Sequence, residues 1–235
     1  MPRKYASLTI ALFLAATGMI PAHTAPLMIV GNDEKLLWDD SGKPILSPAG
    51  KDSVLIVDLA DPMNPKIVAN LPLKNSVVGP PVNLAIDPTG TVALVADSVN
   101  VAKDGDALKQ SPDDKIHVID MKANPPKLVN TITAGKQPSG LSFSPSGNIA
   151  LVANRADKSI TVFSVKGTEV KMIDTVAMGD EVSHVVFTPD GKYLLVGNYL
   201  TQDFSILRVN GSNITDTGKR FKVPGHPASA RISVR

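Results

Sequence analysis

Apolar residues along this chain recur at every second position or in short unbroken runs, and almost nowhere at helical spacing. Four segments alternate cleanly: SVLIVDL (53–59), KIHVIDM (115–121), SITVFSV (159–165) and FSILRVN (204–210). Each follows a more continuous apolar run: LMIVGN (27–32), VALVAD (92–97), IALVAN (149–154) and YLLVGN (193–198). Each is followed by a further strand-like stretch: KIVANLPL (66–73), KLVNTITA (127–134), VKMIDTVAM (170–178) and ITDTGKRFKV (214–223). A last set precedes three of the runs: PVNLAID (81–87), PSGLSFS (138–144) and VSHVVFT (182–188). Val, Ile and Leu dominate these segments, and Gly, Pro, Asn and Asp fill the gaps, so all of them read as β-strands.

The segments recur in a fixed order. DPTG (87–90), SPSG (144–147) and TPDG (188–191) join the first and second strand of a unit, with Pro presetting φ and Gly accepting a positive φ. The turn glycines lie 57 and 44 residues apart, the longer spacing coming from an extended loop, Ser98 to Asp114. A unit is therefore four short strands, A to D, in roughly 44 residues, which predicts an all-β fold, a β-propeller of four-stranded antiparallel blades. The first unit lacks strand A. The chain ends PGHPASARISVR (224–235), where Pro227 and Ile232 match Pro138 and Phe143 of an A strand. Docking 227–234 beside 27–32 would complete that unit, hide open edges and close the ring with four blades: 27–79 plus 227–234, 80–135, 136–179 and 180–224. A closed ring is expected to be a monomer.

Residues 1–25 stand apart. MPRKY carries two positive charges, fifteen uncharged residues follow, and PAHTA offers a cut after Ala22 or Ala25, the layout of a secretory signal. The remaining domain, 26–235, is expected in the periplasm or outside the cell, with no membrane attachment after cleavage. Losing Arg3 and Lys4 takes Lys+Arg from 24 to 22, against 22 Asp+Glu, so no clustered basic field marks a nucleic-acid binder. The absence of cysteine excludes disulfides, thiolate metal sites and thiol nucleophiles, and with four His in all a His-rich metal site is not expected. No cofactor is called for by any motif.

SPSGNIALVANRADKSITVFSV (144–165) and its neighbours resemble the YVTN-type repeats of the seven-bladed propeller proteins known as a lactonase family. The resemblance spans nearly all of 27–234 and implies the fold; the family name implies a lactone hydrolase. This chain departs from it in having four units where seven are expected.

Candidate chemistry lies on the face shared by the D-to-A and B-to-C connections. Long B-to-C loops cover Asp33–Asp52 and Ser98–Asp114, and long loops on a rigid scaffold carry function. The first holds Trp38, the only tryptophan, beside Asp39 and Asp40, placed either to cover a ligand or to pack its loop. The second holds Asp104, Asp106, Asp113 and Asp114, whose spacing fails the EF-hand pattern. Every B strand ends on an amide or carboxylate, Asn32, Asp97, Asn154 and Asn198, which either line the mouth or bond their own turns. His184 and Arg231 interrupt an otherwise small-residue set on the A strands, while Arg155, Tyr199 and His226 belong to the loop-rich face. No GxSxG, Walker loop, HExxH or GxGxxG is present. The first reading is thus an exported, non-catalytic propeller that binds a protein partner or small ligand through Trp38, Asp40, Asn154, Asn198 and Tyr199. The alternative is a lactonase-like hydrolase of a sugar or acyl lactone, with His184, Arg231, His226 and Arg155 as its candidate groups.

Overall fold

A computed structural model describes residues 26–48, 50–76 and 83–233. The leader (1–25), the boundary between the first two units and residue 234 lie outside this range. Seventeen strands and no helix occur among the described residues. Three sheets have four antiparallel strands in chain order: β6 (Leu84–Ile86) to β9 (Lys127–Thr133), β10 (Pro138–Phe143) to β13 (Glu169–Ala177), and β14 (Val182–Phe187) to β17 (Asn213–Lys222). The first sheet has three strands, β1 (Leu27–Asn32), β4 (Ser53–Asp58) and β5 (Lys66–Leu71), and its B-to-C loop carries a small hairpin, β2 (Leu36–Trp38) with β3 (Pro44–Leu46). These are the repeat units expected from the pattern.

The turns are built as their sequences require. Gly90, Gly147 and Gly191 hold φ of 64°, 72° and 68°, and each amide donates to the carbonyl of the Asp, Ser or Thr three residues back. Three apolar clusters form between successive sheets. Val54 and Ile56 meet Ala93 and Val95; Leu94 and Val118 meet Ala150 and Val152; Leu151 and Val162 meet Leu194 and Val196. The second strands of the second and third sheets, β7 (Val92–Asp104) and β11 (Ile149–Asn154), are thus apolar on both faces, one toward each neighbouring sheet.

Two expectations are corrected. Ser98–Asp114 is no loop: β7 (Val92–Asp104) and β8 (Ala107–Asp120) continue as a paired ribbon to a tight turn at Gly105. Val99 and Val101 are buried on it, so alternation persists past the blade and drives pairing. The closing strand also differs. Residues 227–233 form no strand, and β1 pairs with β4 alone, leaving its other edge unpaired among the described residues. The segment lies instead on the fourth sheet, where the Ser183 hydroxyl donates to Pro227 O and His184 Nε2 donates to Ala230 O at 2.9 Å.

Candidate functional site

On the loop-rich face, the turn after each second strand is tied to the turn before the first. The Arg155 amide donates to Gln137 O and the Tyr199 amide to Glu181 O, at 2.9 and 2.8 Å. This holds equivalent residues at equivalent heights in the third and fourth sheets. The Arg155 side chain then reaches across to the next sheet. Its Nε donates to Glu181 Oε2 at 2.9 Å, and its guanidinium carbon sits 4.0 Å from the centre of the Tyr199 ring. Tyr199 also stacks on His226, centroids 4.3 Å apart and planes 19° from parallel. His226 Nδ1 donates to Tyr199 O at 2.7 Å, so in the neutral ring Nε2 is the free acceptor. The Arg155 terminal nitrogens have no protein partner among the described residues. A cation with open donors and an exposed imidazole with an open acceptor therefore share one aromatic platform.

The other candidates fall elsewhere. His184 is fully buried against Gly140, where an added Cβ would come within 3.2 Å of its Nδ1. Burial, opposed by the Ala230 carbonyl and reinforced by the Arg231 charge, lowers its pKa to about 4, so it is a neutral donor holding the C-terminal segment. Arg231 is exposed and its guanidinium bonds Ala230 O. Asn154 and Asn198 are buried, and their amide nitrogens bond side chains across the strand pair and not their own turn backbone. Asn154 Nδ2 donates to Ser159 and Thr161 hydroxyls, and Asn198 Nδ2 to Asp203 Oδ1 and the Ser205 hydroxyl. Trp38 is 65% exposed on the β2–β3 hairpin, away from any core, with Asp40 beside it. Asp104 pairs with Lys109, while Asp114 is held by Lys115 and Lys136. Among the described residues no three His, Asp or Glu gather as a metal site.

A second polar centre escapes the motif reading. Lys35 is completely buried, bonded to Asp52 and Asn75 O, with Asp33 Oδ1 at 3.1 Å. Asp97 is buried nearby, and its Oδ1 has no hydrogen-bond partner among the described residues. Desolvation raises its pKa to about 6, against a lowering by Lys35 and further raising by Asp113 and Asp52. Its signal in the sequence is that it is the one carboxylate among the four B-strand ends. Glu181, the partner of Arg155, carries no signal of its own.

The family described as "Lactonase, 7-bladed beta-propeller" matches residues 113–228, which include Arg155, Glu181, Tyr199 and His226. No curated protein matches the chain. A protein of unknown function from Desulfotomaculum acetoxidans superposes with a TM-score of 0.57 at 16% identity, over 80% of this chain and 55% of that one. The chain thus spans little more than half the length of that structure. A candidate 6-phosphogluconolactonase from Bacteroides uniformis gives 0.50 at 17% identity, over 84% of this chain and 74% of that one. Hydrazine synthase from Kuenenia stuttgartiensis gives 0.51 at 16%, over 76% and 58%. Such different names on one architecture mean that these likenesses speak for the fold alone. The repeat, the stacked sheets and these likenesses together make the fold that of a β-propeller, and residues 113–228 are similar to the lactonase propeller family.

Proposed function

We propose that the protein is an exported hydrolase of a sugar or acyl lactone, acting at the Arg155–Tyr199–His226 platform. The observation that carries this is the pairing of open donors on Arg155 with an open acceptor on His226, inside the segment that matches the lactonase family. The leader-like residues 1–25 motivate export. Ester hydrolysis in a lactone needs a base for water and a cation for the oxyanion. His226 Nε2 takes the proton as water oxygen bonds to the carbonyl carbon. Arg155 donates to the carbonyl oxygen as it becomes anionic. The ring C–O bond then breaks, and the leaving oxygen recovers the proton from the imidazolium to give a hydroxy acid.

Acid release from a panel of sugar and acyl lactones, followed by pH-stat, tests this. The expected result is release above the buffer rate, reduced about 10²-fold or more in His226→Ala and in Arg155→Ala. No release across the panel from folded protein overturns it. The non-catalytic scaffold remains the second reading, favoured by the exposure of Trp38. On that reading, Trp38→Ala removes binding of a protein or small ligand in calorimetry.

A further inference from the structure

Each sheet packs on its neighbours through two alternating faces. The face toward the following sheet carries Leu94 and Val118 in the second sheet and Leu151 and Val162 in the third, all 0% exposed. In the fourth sheet the same positions are Leu195 and Ile206, paired across β15 (Tyr193–Asn198) and β16 (Asp203–Asn210). They are partly exposed and line an open groove of about 620 Å³ with Tyr193, Arg208 and Thr215. The face toward the preceding sheet carries Ala93 and Val95, Ala150 and Val152, and Leu194 and Val196, again 0% exposed. Its counterparts in the first sheet are Met28 and Val30, with Leu55 opposite Val30. Met28 is 42% exposed and the other two are half-buried.

The described arc therefore ends in the two halves of the interface that it repeats internally. The C-terminal segment points the same way. A Cβ on Gly197 would sit 3.4 Å from Pro227, so this segment rests on the fourth sheet where the inner strand of a following sheet belongs. Among the described residues it lacks a strand partner, and β1 has a free edge. We propose that the fourth sheet of one copy receives the first sheet of a second copy, head to tail. Met28, Val30 and Leu55 cover Leu195 and Ile206, and residues 227–233 pair along β1. No hydrogen bond or ion pair joins these two ends within one chain among the described residues. Bringing them together in one molecule means repacking three close-packed interfaces, whereas a second copy repacks none.

Sedimentation and light scattering over a concentration series test the proposal. The purified protein is expected to self-associate to two or more copies. Leu195→Lys and Met28→Lys, each blocking one half, are each expected to give single copies. An equimolar mixture is expected to form dimers and stop there, since one intact half remains on each partner. Val30→Lys replaces Met28→Lys if circular dichroism shows the latter unfolded. The proposal is overturned by a single-copy mass for the unsubstituted protein throughout, by association that survives either substitution, or by a mixture that stays monomeric.

Discussion

Asp97 and His184 are ionisable groups buried with opposite consequences. A carboxyl whose folded pKa is about 6, above its ordinary value of 3.8, holds more protons folded than unfolded in that window. Its contribution is therefore present at low pH and is lost as pH rises toward and past 6. An imidazole lowered from 6.5 to about 4 does the reverse, and its contribution is lost as pH falls. The two nearly offset between pH 4 and 6, so each should appear when the other is removed. In urea melts across pH 4–8, Asp97→Asn is expected to gain on the unsubstituted protein as pH rises, by on the order of 2 kcal/mol. A parallel curve would show that Asp97 is charged without penalty. Lys35→Met strands the buried Asp52, and should cost about 3–5 kcal/mol in the same melts. The odd carboxylate at Asp97 was visible among the strand-end amides, but its consequence was not, because burial between sheets is set by residues such as Lys35 far along the chain. Of the two readings of the amides, bonding to their own turn backbone is not what the structure shows, for a local reason: Ser159, Thr161 and Ser205 offer hydroxyls across the strand pair, and these are better placed than the turn backbone.

Strands and turns were the most readable features. Fourteen of the fifteen repeat segments are formed wholly or largely within described strands, because alternation, apolar runs and Pro-x-Gly turns all name the same unit. The β7–β8 ribbon was hidden because Asp, Lys and Gly at its tip resemble a loop, while the buried Val99 and Val101 that hold it together are few. Sheet-to-sheet contact was legible only as apolar residues, not as distance. Gly140 is the place where distance decides: an added Cβ would lie 2.6 Å from His184 Cα and 2.9 Å from Ser183 O. Gly140→Ala must push the third and fourth sheets apart, and should cost about 1–3 kcal/mol in chemical melts. Gly167→Ala, at a turn with nothing within 4 Å, offers the contrast: its penalty comes from a φ of 59° and not from packing.

For the whole molecule, the pattern gave the architecture and the order of units but not the fate of residues 227–233. Their register matched an inner strand, and they do take an inner strand's place, yet against the fourth sheet and unpaired. Deleting 225–235 uncovers His184 and Ser183 together, so the melting temperature should fall by several degrees, read by circular dichroism. An unchanged melting temperature would mean that the segment adds nothing. The choice of circular dichroism follows from the hairpin. The sole indole sits 65% exposed on a two-stranded finger and touches no core. Its emission is expected to be that of a wetted fluorophore in the native protein, so global unfolding should pass almost unseen by fluorescence. The same indole becomes a clean optical reporter for anything that lands on the finger, with no background from the rest of the protein.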